Sequence, residues 1–171
     1  MGPLFELLAA DERQALEFFA IHLREVSGSV VDQRELLYNA SVLAHHALVS
    51  TAPGFELSSP ATLSAIFDNF VFDTSLRNDP SILETAGAQC LLLAGFFEDQ
   101  MRQRHNIRWY AELGASFLAR AAQQEPASNR ARLLEAISRH FEAWRRRQAL
   151  LGRELRVQAY VLGRDTGRGT L

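Results

Sequence analysis

Lysine is absent from this chain, and all 18 basic residues are arginine. A guanidinium differs from an ammonium in its planar fork and fixed charge. With alanine, leucine and arginine abundant throughout, however, the bias fits a GC-rich, bacterial genome, so no arginine is singled out by its identity alone. The absence also removes the Gly-x-x-x-x-Gly-Lys-Ser/Thr phosphate loop, and no Gly-x-Ser-x-Gly elbow occurs. Cysteine appears once, as Cys90 in the apolar run Cys90-Leu91-Leu92-Leu93-Ala94. No intrachain disulfide can form, a reducing compartment is expected, and the thiol reads as a small buried hydrophobe. Long apolar runs are lacking too. The longest, about 86–97, is interrupted by Gln89 and falls short of the ~20 residues a membrane-spanning helix needs. Met1-Gly2-Pro3-Leu4-Phe5-Glu6 has no basic segment leading into an apolar one, so no secretory signal is read and a cytoplasmic protein is expected.

Metal and cofactor patterns are equally thin. A carboxylate-bridged di-iron bundle uses Glu-x-x-His on two helices, and none of the five histidines follows that spacing. His45 and His46 are adjacent, so on a helix they point about 100° apart and do not converge on one ion. No Cys-x-x-Cys-His haem attachment occurs. We therefore expect no catalytic motif, no metal site and no cofactor.

What is present is an ordinary globular composition, 171 residues with 47% apolar and 22% charged, which suits one packed domain. We expect a single helical domain over 1–162 and a flexible tail over 163–171, where Gly163, Gly167 and Gly169 cluster. The net charge of −2 conceals an asymmetry: positions 1–100 carry 14 acidic and 4 basic residues, positions 101–171 carry 6 and 14. This admits two readings. The halves fold against each other and neutralise their fields, or a basic face meets an anionic partner.

Six segments show helical spacing. The first, Asp11 to Val26, places Leu16, Phe19, Leu23 and Val26 on one face. The second, Asp32 to Ser50, has two stripes: Leu36, Leu37, Ala40, Leu43, Ala44 and Ala47, and opposite them Tyr38, Val42, His45 and Val49. A helix apolar on two sides is sandwiched or forms a subunit contact. Ser59-Pro60 opens a third, with Leu63, Ile66, Phe67, Phe70 and Val71 on one face and Phe72 opposite; Asp79-Pro80 opens a fourth, placed at the centre because it is almost wholly apolar from Cys90 to Phe97. A charged connector, Glu98 to His105, leads to Asn106 as a cap for the fifth, where Gly114 lies mid-face and suggests a close helix crossing. Ser128 or Asn129 opens the longest helix, which aligns Leu133, Ile137, Phe141, Trp144, Leu151 and Leu155. Leu92, Leu93, Phe97 and Phe117 are expected in the core. The fold is thus read as all-α, a compact bundle of six or seven helices around a central apolar helix.

Arg102, Arg104, His105 and Arg108 gather positive charge at a helix start, where unpaired N–H groups already favour anions. They are the candidate anion-binding residues. Tyr38, His45, Trp109 and Tyr110 are the candidate pocket or interface residues. The run ending in Gly95-Phe96-Phe97, the charged connector, the aromatic pair Trp109-Tyr110 and Leu113-Gly114 resemble an uncharacterised group of small bacterial all-helical proteins. The resemblance covers about 86–122 and departs from that group in placing Glu98 where proline often succeeds the Phe pair. It implies a helical fold and no particular activity.

The expected function is that of a non-enzymatic bacterial interaction or regulatory protein acting as a homodimer, with a protein partner or a small anionic ligand. The alternative is a small-molecule or haem-binding helical pocket protein or enzyme of haem-oxygenase-like architecture, using His45 or His105 with Tyr110. Nucleic-acid binding through the last helix is disfavoured, because Glu135, Glu142 and Glu154 interrupt its basic face.

Overall fold

A computed structural model describes residues 12–28, 30–49, 79–103 and 105–165, with positions 49 and 157–165 as backbone only. Among the described residues are seven helices and no strand: α1 (Glu12–Ser27), α2 (Gln33–Val49), α3 (Pro80–Leu91), α4 (Glu98–Met101), α5 (Ile107–Gln124), α6 (Ser128–Arg139) and α7 (Phe141–Asp165). The all-helical bundle is therefore the fold. The segment with Leu63, Ile66, Phe67, Phe70, Val71 and Phe72 lies outside the described residues, as do Arg104 and the side chain of Val49.

Three helices begin where a short polar side chain meets free backbone donors. Asp32 Oδ1 accepts from the N–H groups of Arg34 and Glu35 at 2.9 and 3.1 Å. Asp79 Oδ1 accepts from those of Ser81 and Ile82 ahead of Pro80, and Asn106 Oδ1 accepts from that of Trp109 at 3.2 Å. Each cap satisfies donors that the first helical turn leaves unpaired, a contribution of about 1 kcal/mol.

The centre belongs to α3, which continues through a π turn at Leu92–Phe96. Cys90, Leu91, Leu93 and Ala94 are fully enclosed. On one side α3 packs against α5, and its π turn packs against α7. Both contacts depend on glycines that bring no side chain to the crossing. A Cβ at Gly114 would stand 2.5 Å from Cys90 Cβ and 2.6 Å from the Phe141 ring, and one at Gly152 would stand 2.6 Å from the Phe96 carbonyl oxygen.

Leu92, Leu93 and Phe117 are core residues as expected, but Phe97 is only half-buried. The π turn explains the difference. Its extra residue rotates the next positions of the chain away from the α-helical register, and Phe97 emerges against the His46 ring instead of entering the core. The expected single long helix is also two helices. At His140 the backbone leaves the helical region (φ −99°, ψ 19°), and α7 starts at the next residue. Ile137, Phe141, Trp144, Leu151 and Leu155 are nevertheless all buried, so the apolar face runs across the break.

Gly114→Ala gains about 1 kcal/mol of helix propensity, yet its methyl has no space between Cys90 and Phe141. We expect a net loss of about 1–3 kcal/mol, measured by urea unfolding. A neutral or stabilising result would mean that α3 and α5 separate easily at this crossing.

Candidate functional site

Tyr38, Val42, His45 and His46 of α2 face Glu84 and Ala88 of α3 and Leu92 of its π turn across an open groove of about 440 Å³, with Arg130 of α6 at its edge. The helices run in the same direction, since Tyr38 meets Glu84 at one end and His46 meets Phe97 at the other. At the first end the Tyr38 hydroxyl donates to Glu84 Oε1 at 3.1 Å. The Arg130 guanidinium donates to both Glu84 oxygens at 2.8 Å each, a bidentate geometry that fixes the pair. Burial, reinforced by the Glu84 carboxylate, pushes the Tyr38 phenol far above its usual range, so its hydroxyl stays a donor. At the other end His45 is exposed, while His46 is half-buried with its ring 5.2 Å from that of Phe97.

The proposed pocket residues thus divide. Tyr38 and His45 share this groove, whereas Tyr110 is a core residue, 2% exposed, that packs its ring edge-on to His105 and Trp109. Trp109 is exposed at the start of α5.

Of the anion candidates, Arg102, His105 and Arg108 line one recess of about 630 Å³ together with Arg145. Glu98, Glu112 and Glu142 line it too. Arg102 donates to Glu98 at 2.6 Å, Arg108 to Glu112 at 2.9 Å and Arg145 to Glu142 at 2.6 Å. Each of the three arginines in the recess is therefore met by a carboxylate. The connector itself is a structured turn, because α4 buries Glu98 and Met101 against the bundle. Glu98 also accepts from Arg153 at 3.0 Å, and Asp99 pairs with Arg153 and Arg156 of α7.

A further arrangement escapes any spacing rule, because its members are 105 residues apart. Glu35 of α2, almost fully buried, accepts through Oε1 from Trp144 Nε1 at 3.1 Å and lies 2.7 Å from His140 Nδ1 at the α6–α7 break. One turn further along α2, Asn39 Oδ1 accepts from Gln148 Nε2 at 2.8 Å. The sequence hint is a pair of polar residues at i and i+4 within an apolar helix, matched by His140, Trp144 and Gln148 at the same interval.

No family model matches the chain, and neither a curated protein nor a solved structure matches it. Among the described residues these features define a helical bundle with open recesses and a buried carboxylate, Glu35, paired with the half-exposed imidazole of His140.

Burial, then neighbouring His45, holds His46 below its ordinary value of 6.5. Folding thus favours the neutral ring, whereas the unfolded chain takes up a proton at higher pH. Stability is intact above 6.5 and is lost as pH falls through that value toward the lower folded one. His46→Asn should flatten the decline in urea midpoint between about pH 8 and about pH 5. An unchanged slope would remove His46 as its source.

Proposed function

We propose that this protein is a non-enzymatic interaction or regulatory module that forms a homodimer through the groove between α2 and α3. The observation that carries this reading is the segregation of polar groups along the groove. Tyr38, Glu84 and Arg130 occupy one end, His45 and His46 the other, with Val42, Ala88 and Leu92 between. A two-fold contact is self-complementary. Laid antiparallel on a second copy, the groove sets its histidine end against the other copy's Glu84 end and joins the two apolar centres.

The filled interior supports a surface contact over a haem-type chamber, since Leu36, Leu83, Leu91 and Leu93 have no exposure. Tyr110, assigned to such a chamber in the alternative reading, is itself part of the packing. Anion capture beside Arg102, His105 and Arg108 draws less support, because three carboxylates line the same recess. A bacterial cytoplasmic setting rests on the lysine-free composition and on the buried, lone Cys90, whose thiol burial pushes well above its ordinary value. No described helix is long and apolar enough to cross a membrane.

Light scattering should find a dimer at micromolar concentration, and Val42→Glu should convert it to a monomer with an unchanged helical circular dichroism spectrum. Placing a charge at the centre of an apolar contact costs several kcal/mol, or on the order of a hundredfold in dissociation constant. A wild-type monomer at tens of micromolar would end the homodimer reading.

A further inference from the structure

We propose that His140 is a phosphoryl-acceptor site, its Nε2 taking a phosphoryl group from a small donor of the phosphoramidate or acyl-phosphate class. The case starts at Glu35. Its carboxylate is 8% exposed and meets two ring nitrogens through one oxygen, Trp144 Nε1 at 3.1 Å and His140 Nδ1 at 2.7 Å. An indole N–H only donates and an ionised carboxylate only accepts. The hydrogen in the His140 contact therefore sits on Nδ1, and the neutral ring carries its lone pair on Nε2. The acid thus orients the imidazole and balances the positive charge that develops when Nε2 attacks, as a base–orienter pair does for a nucleophile.

The surroundings supply one cation, Arg147, and two carboxylates that already have partners, Glu35 and Asp32. The His140 side chain is half-exposed and borders a recess of about 180 Å³ whose lining includes Val31, Asp32, Glu35, Trp144 and Arg147. The Arg147 guanidinium lies 4.6 Å from the centre of the Trp144 ring, which places a cation at the recess for phosphoryl oxygens. The Asp32 carboxylate is held by the first N–H groups of α2. In the transfer, the Nε2 lone pair forms the N–P bond as the donor's P–N or P–O bond breaks, and the leaving group departs with that electron pair. The proton stays on Nδ1, hydrogen-bonded to Glu35 Oε1. The product adds negative charge at the break between α6 and α7, beside Arg147. This inference does not depend on the dimer.

The native full-length chain is incubated with phosphoramidate, and modified peptides are mapped by mass spectrometry at neutral pH. Phosphorus NMR then distinguishes the ring nitrogens. Modification of His140 at Nε2 is expected to lead that of His22, His45, His46 and His105 by about tenfold or more, and Glu35→Gln should lower its rate by a similar factor. A glutamine amide can donate to Nδ1 and reverse the tautomer. His140→Asn should remove the leading product. Should Glu35→Gln fail to fold, the competition among the five histidines of the native protein decides alone. His140 reacting no faster than the other histidines, or reacting at Nδ1, overturns the proposal.

Discussion

Cys90 and the Phe141 ring occupy the space into which any side chain at position 114 would project, and the Phe96 carbonyl does the same at position 152. The arrangement of α3, α5 and α7 depends on these two close approaches. Because α3 is enclosed on both sides, its residues from Cys90 to Ala94 lose nearly all solvent contact. Their burial supplies about 25 cal/mol for each Å² of apolar surface removed from water. The same enclosure fixes the π turn, whose wider winding leaves the Ala94 carbonyl to accept from Arg145 at 3.1 Å. A helix that crossed α5 at ordinary distance would place neither the π turn nor Phe97 where they are.

Around this core the charge asymmetry of the chain becomes a set of contacts. Glu35, Glu84, Glu98 and Asp99 come from the acidic half, and their partners His140, Arg130, Arg145, Arg153 and Arg156 from the basic half. Exposed members such as Asp99 with Arg156 contribute little individually, of order 0–1 kcal/mol. Glu98 is different, since its carboxylate is largely enclosed and its charge would be costly to bury without guanidinium groups around it. Of the two readings of the asymmetry, mutual neutralisation accounts for these pairs.

Much of the fold was legible from local physics. The caps at Asp79 and Asn106, the enclosed run after Cys90 and the close crossing at Gly114 each arise from residues near one another in the chain. Phe97 and the break at His140 were not legible, because both turn on a single residue of helical register that leaves the apolar spacing nearly intact. The Tyr38–His45 stripe and the Arg102, His105 and Arg108 cluster could be read from spacing. Their partners could not: that Glu84 and Arg130 close one end of the groove, or that Glu112 and Glu142 balance the arginines, is settled only by how the helices cross. Glu35 was overlooked because an acidic residue in a first helical turn is ordinarily accounted for by the helix dipole alone.

The position of α6 shows how the two recesses beside α2 are related. Near its start, Arg130 reaches Glu84, which binds Tyr38 on α2. Just beyond its end, His140 reaches Glu35, also on α2. Glu35 and Tyr38 are three residues apart and so nearly one turn of the same helix. The contacts form a closed ring: α2 to α3 through Tyr38 and Glu84, α3 to α6 through Arg130, and back to α2 through His140. Removing any one member opens the ring. Such a ring requires polar side chains with fixed directions at both ends of one short helix. For this reason the groove and the His140 recess rest on the same few hydrogen bonds.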